Sequence, residues 1–388
     1  NQPKSPSGNT TPSFAGTASD SEPVTIHIYA GGKAEGVPVS NAAASGTGGG
    51  WSSGQASPAL TSGQYTAVAV QPSSLGNSPG SSSPVTFVVD TSSPTVTLNQ
   101  PPSPSKDTTP PFSGSASDTT KVVVHIYDTK STEVATATAN GGGGSWSTEN
   151  EPALASGSYT AIATQESSLG NPSGASNRVA FTVNTAPPTV TLNSPPLRSN
   201  NTAPSFTGTA SDTTLVTIKV YAGTNTEAAP LSSASATGTG GSWTSGTVTP
   251  VLSNGQYTAV AYQPSSLGNP TGKSLPVTFT VDTNSPTVTL NQPKSPSNVT
   301  APSFTGTATE GTLAEPSAVT VRIYAGKTAI GSVLATASAE GAGGSWASKP
   351  ATPALPRGTY TATATQTSAI GNSPGTSAPV TFIIETES

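Results

Sequence analysis

The chain has 388 residues with 14 basic and 19 acidic side chains, a formal charge of -5, 32% apolar and 9% charged content, 40 glycines, 37 prolines, and neither cysteine nor methionine. Disulfides and thiol chemistry are excluded, and the scattered charges leave no basic stripe for nucleic acid or an acidic membrane. No apolar run reaches the roughly 18 residues of a membrane helix, while Val, Thr and Tyr in alternating runs speak for thin β domains rather than disorder.

Taken in order, Phe14 opens a strand, Val24 to Tyr29 form the next, Trp51 follows a Gly-rich turn, and Gly63–Gln71 and Pro84–Asp90 make a closing hairpin. Pro94 to Leu98 then begin a second copy ahead of Phe112. The aromatics align four copies: Phe14, Phe112, Phe206, Phe304; Tyr29, Tyr127, Tyr221, Tyr324; Trp51, Trp146, Trp243, Trp346; Tyr65, Tyr159, Tyr257, Tyr360; and Phe87, Phe181, Phe279, Phe382. Those positions absorb every aromatic residue except Tyr262.

Each copy reads as about seven strands separated by turn signals, the pattern of an immunoglobulin-like β-sandwich. The expected fold is therefore all-β, four tandem sandwiches covering residues 1–92, 93–186, 187–284 and 285–388. With the strands lettered in the immunoglobulin order, Pro94 to Leu98 is strand A, Phe112 to Ala116 strand B and Val122 to Tyr127 strand C. The weaker Val134 to Ala139 segment and the Trp146 strand are expected to complete one side together. Alternation turns Val24, Ile26 and Ile28 inward and leaves Thr25, His27 and Tyr29 outward. The His27 slot becomes His125, Lys219 and Arg322, which marks a solvated face. In strand F, Tyr65 and its equivalents fit a tyrosine corner whose hydroxyl bonds back to the backbone.

Spacing separates loops from joints. The last Phe of one copy stands 25 residues before the first Phe of the next at all three junctions, whereas Glu310 to Ser317 lengthens a loop of the fourth copy. The joints carry proline, as in Asp90-Thr91-Ser92-Ser93-Pro94, and should be stiffer than Gly/Ser tethers. A semi-rigid elongated rod on the order of 150 Å is expected from roughly 3.3 Å per strand residue. Asn1 to Pro6 matches Asn291 to Pro296, so the first copy is expected to lack strand A and the segment to come from a longer array.

The run Thr207-Gly208-Thr209-Ala210, the Gly-Gly-Ser-Trp at 240–243, the Gly358 to Ala364 strand and Val281-Asp282-Thr283 before Pro286 to Leu290 resemble the bacterial immunoglobulin-like repeats of large surface and secreted proteins. The resemblance implies an extracellular or cell-surface chain whose neighbours are further repeats. Some relatives bind calcium at domain junctions, which makes Asp90, Asp282 and Glu385 the candidate ligands here. Calcium needs six to eight oxygens, and the junctions supply few clustered acids.

Candidate chemistry is sparse. His27 and His125 lie on the outward face without convergent partners, and no nucleophile, base and orienting group recur, so no catalytic residue and no enzyme are expected. Asp20, Asp118 and Asp212, with Glu310 in the fourth copy, read as turn-formers after strand B. The Gly76-Asn77 and Gly268-Asn269 pairs sit at the tip between strands F and G, where such sandwiches often bind partners. These pairs, with Tyr29 and Tyr262, are the candidate contacts. The expected function is a structural stalk or fibre segment; the alternatives are an adhesin-type module binding glycan or protein, and a filament subunit completed by a neighbour's strand.

Overall fold

The computed structural model describes residues 1–45, 48–149, 152–238, 240–310, 317–341 and 343–385. Every regular element among them is a strand. The chain divides into two compact units, 1–186 and 187–388, each containing two copies of the repeat. The lengthened loop of the fourth copy falls, for residues 311–316, outside the described residues.

In the second repeat the larger sheet places the Glu133–Ala139 strand beside strand C, strand C beside strand F (Gly157–Gln165), and strand G (Val179–Val183) on the far side of F. The smaller sheet pairs strand B (Ser113–Ala116) with the Trp strand (Gly144–Ser147). Segment 94–98 joins it, Val96 bridging Ala116 and Thr97 N–H donating to the Ser115 carbonyl. The expectation that Val134 to Ala139 shares a side with the Trp strand is therefore corrected. Ala135, Ala137 and Ala139 register against Ile126, Val124 and Val122 and drop their small side chains onto the same core. Trp146 instead faces Gly114, where an added Cβ would meet the indole at 2.8 Å and the Thr97 carbonyl oxygen at 2.0 Å. Only glycine admits the ring and segment 94–98 together.

Each core closes in the same way. Phe112 packs edge-on against Phe181, with ring centroids 5.6 Å apart, and Tyr159 stacks on Phe181 at the same distance. The other repeats repeat these contacts. The tyrosine corner is present throughout: Tyr65, Tyr159, Tyr257 and Tyr360 hydroxyls donate to the carbonyls of Thr61, Ala155, Ser253 and Pro356 at 2.6–2.9 Å. The first repeat has instead a cleft of about 1120 Å³ lined by Phe14, Gly16, Trp51, Ala69 and Gly80 among others, in the place that segment 94–98 occupies in the second repeat.

Candidate functional site

A glutamine at the end of strand F, half-buried in the first repeat and buried in the other three, organises the end of each sandwich. Gln165 donates through Nε2 to the carbonyls of Asp118 and Thr120 at 2.8 and 2.9 Å and accepts the Asp118 N–H at 3.1 Å. Gln71 and Gln263 make the same three bonds, and Gln366 bonds Glu310 in both directions. A buried amide with its donors and acceptor engaged fixes the loop that follows strand B.

That loop presents a carboxylate to the tip between strands F and G. Asp118 Oδ1 accepts the N–H groups of Thr119 and Thr120, as a turn-former does, while Oδ2 accepts the Ser168 N–H and hydroxyl at 2.9 and 3.0 Å. Asp20 and Asp212 bind Ser74 and Ser266 identically. The Ser74 N–H holds the Asp20 carboxyl below the ordinary carboxylate range. For Asp118 and Asp212, burial pushes upward but the donors of Ser168 and Ser266, with the turn N–H groups, outweigh it, and both carboxyls lie low. In the fourth repeat Glu310 is 2% exposed and accepts the Ala369 N–H at 2.7 Å.

The tip so braced reaches back to the linker of the preceding repeat. In the first unit Asn171 Nδ2 donates to the carbonyls of Asp90 and Ser92 at 2.8 and 3.0 Å. In the second unit Asn372 Nδ2 does the same to Asp282 and Asn284 at 2.9 and 2.8 Å. Gly170 and Gly371, at φ +79° and +83°, give the loop the left-handed turn that aims each asparagine. Gly8 of the first repeat lies against this tip: a Cβ there would stand 2.4 Å from Asn171 Oδ1 and 2.8 Å from the Leu169 carbonyl oxygen.

The second unit adds an ion cluster. Arg198 Nη2 lies 2.7 Å from Asp282 Oδ2, at the end of the third repeat, and 3.3 Å from Glu310 Oε1 in the fourth. The Asp282 carboxyl is held low by Arg198 first and by the Asn284 N–H second, and the Arg198 guanidinium is raised in turn. Of the calcium candidates, Asp282 thus has Oδ2 on a guanidinium and Oδ1 on Asn284 N–H. Asp90 Oδ1 accepts Ser92 N–H, and Glu385 is exposed. Among the described residues no three acidic or histidine side chains converge as metal ligands.

The remaining predicted contacts lie apart. Gly76 and Asn77 are exposed, and Gly268 shares the left-handed turn at φ +75°, with Asn269 in the same loop. Tyr29 is half-buried on strand C of the first repeat. His27 Nδ1 lies 2.8 Å from Asn41 Oδ1, and His125 sits 3.1 Å from both Glu133 and Thr164 oxygens, so both imidazoles have strand-to-strand partners. Tyr262 is held between Lys219 and Lys273, whose ammonium nitrogens lie 5.0 and 5.8 Å from its ring centroid.

Sequence reasoning missed Arg198 and the capping glutamines. Arg198 stands one residue before Ser199, where the other repeats carry Pro6, Pro104 and Pro296 before Ser7, Ser105 and Ser297. That exchange occurs in the repeat that precedes Glu310, the one glutamate in a slot otherwise filled by aspartate. The coincidence was the available signal.

A family model described as a bacterial Ig-like domain matches residues 7–91, 104–185, 198–283 and 293–386, and a second, the group 3 bacterial Ig-like domain, matches 243–331. The chain belongs to the bacterial Ig-like domain family. Among solved structures it is similar to a tetra-tandem repeat in the extending region of a large adhesion protein, at 21% identity and TM-score 0.40, covering 97% of this chain and 96% of that one. It is also similar to the BSP domain of a biofilm-associated protein, at 11% identity and TM-score 0.23, covering 100% and 96%, and to titin domains I67–I69, at 12% identity and TM-score 0.31, covering 77% and 100%. No curated protein matches the chain.

Proposed function

We propose that this chain is a non-enzymatic, extracellular spacer segment of a bacterial surface or secreted protein, in which, within each unit, the first repeat passes its orientation to the second through a bonded joint. The carrying observation is that the Asn171 and Asn372 amides bond the backbone of the preceding linker. A loop braced on its own sandwich and bonded to its neighbour holds position, whereas a recognition loop leaves its polar groups to a partner. Residues 1–92, 93–186, 187–284 and 285–388 act as the successive modules. The joint of the second unit is closed by the Arg198 guanidinium instead of calcium, because both Asp282 oxygens are already engaged by protein donors.

The absence of cysteine makes the test direct. Spin labels at Lys33→Cys and Lys130→Cys report the joint of the first unit, and labels at Glu227→Cys and Lys327→Cys that of the second. Narrow distance distributions, unchanged by a calcium chelator, are expected at both. A broad distribution in the otherwise unmodified chain defeats the spacer reading; one narrowed only by calcium defeats the metal-free joint.

A further inference from the structure

Tyr262 is the one aromatic residue outside the five positions that recur in every repeat, and its surroundings set the third repeat apart. It is the direct cross-strand partner of Lys273 on one side and Thr217 on the other, with Lys219 two residues farther along strand C. Its hydroxyl lies 3.3 Å from that of Tyr221. Burial, followed by this contact, pushes the Tyr221 hydroxyl up to about 12, so it stays a neutral hydrogen-bonding group. Beneath the cluster Val260 is fully buried, although it points away from the core and its equivalents Val68, Ile162 and Thr363 are half-buried. The other repeats carry Val70, Thr164 and Thr365 where Tyr262 stands, and Ser81, Ala175 and Thr376 where Lys273 stands.

Two ammonium groups are therefore held against one ring on an outer sheet face, with Lys273 exposed and Lys219 and Tyr262 half-buried. Among the described residues neither lysine has a carboxylate partner. The ring satisfies part of each charge but supplies no oxygen acceptor, leaving ammonium N–H donors for one. Carboxylates repeated along a bound chain would interact favourably with the cations on either side of the ring. The half-buried Tyr262 also carries a hydroxyl that can exchange a hydrogen bond with a sugar hydroxyl, while Tyr221, 4% exposed, backs it from within.

We propose that the Lys219–Tyr262–Lys273 face of the third repeat is a binding site for a carboxylate-bearing polysaccharide. This site is independent of the spacer role. The net charge of -5 opposes general attraction of polyanions, so retention of one reports a local site.

The test is binding of the full chain to immobilised polygalacturonate in low-salt buffer at pH 7, with neutral galactan and double-stranded DNA as parallel surfaces. Retention on polygalacturonate over both others is expected, weakened about tenfold in Lys219→Ala/Lys273→Ser and severalfold in Tyr262→Thr. Tyr262→Thr and Lys273→Ser place residues that other repeats carry at the same register, and unchanged circular dichroism would verify folding. No retention of the unmodified chain, equal retention of the double-lysine variant, or equal or tighter retention on DNA would overturn the proposal.

Discussion

The joint inside the first unit and the joint inside the second use one asparagine clasp and differ in what surrounds it. Between the first two repeats the clasp is neutral: Asn171 holds the linker carbonyls, and Gly8 removes the side chain that would block the tip. Between the last two repeats Asn372 makes the same bonds, Asn200 stands where Gly8 does, and Arg198 ties Asp282 to the buried Glu310. The first joint thus depends on close fit and the second adds charge. A repeated backbone clasp fixes the step between modules, and a few neighbouring residues decide how it responds to its medium.

The largest effect should come from removing the charge. Arg198→Ala leaves a 2%-exposed carboxylate without its cation, and since the Ala369 N–H remains bonded to it, a loss of about 2 kcal/mol at this joint is expected. Hydrogen exchange at the Ala369 amide should quicken correspondingly, while exchange at Ser168 stays unchanged. Arg198→Pro combined with Glu310→Asp, which rebuilds the residues of the first unit, should recover most of the protection. Unaltered exchange in Arg198→Ala would show the ion cluster to be ornamental.

Close fit can be broken next. Gly8→Ala places a methyl group against Asn171 Oδ1 and should cost roughly 1–3 kcal/mol by overpacking. It should widen the spin-label distribution across the first joint, whereas Asn200→Gly should barely alter the second. Removal of the shared clasp sharpens the contrast further. Asn171→Ala and Asn372→Ala each forfeit two hydrogen bonds, on the order of 1 kcal/mol, yet the distribution should broaden more in Asn171→Ala because the second joint keeps its ion pairs. Equal broadening would mean that the ion cluster adds no restraint.

Much of the fold was legible because it rests on period and spacing. Alternation assigned the faces of strand C, and the tyrosine corner followed from one Tyr two residues ahead of Ala67. What escaped was contact between residues far apart in the chain. Gln165 reads as the polar end of a strand until the carbonyls of Asp118 and Thr120 are placed beside it, and the Gly-Asn tip reads as an exposed turn until the preceding linker meets it. Arg198, Asp282 and Glu310 span 112 residues, and no local pattern joins them. The placement of Val134 to Ala139 failed for a related reason, since alternation tells which side chains face the core but not which sheet carries them. Tyr262 was the exception: counting alone singled it out, and the flanking lysines supplied the chemistry.

Proton and salt dependence give the smallest and most selective contrast. The Asp282 carboxyl titrates below its ordinary 3.8, so its contribution is complete above that value and is lost as pH falls through the depressed folded-state value. Asp118 is also depressed, through its bonds to Ser168, so acidification weakens both joints in the same direction. Salt at neutral pH separates them. Arg198 is 42% exposed, and screening of its pair with Asp282 should weaken the second joint by only a few tenths of a kcal/mol. Raising sodium chloride to about 0.5 M, where the Debye length is well under 10 Å, should therefore broaden the 227–327 label distribution slightly and leave the 33–130 distribution unchanged. The Asn171 and Asn372 clasps are dipolar and nearly indifferent to ionic strength, which makes any salt response in the first joint evidence that charge also holds that one.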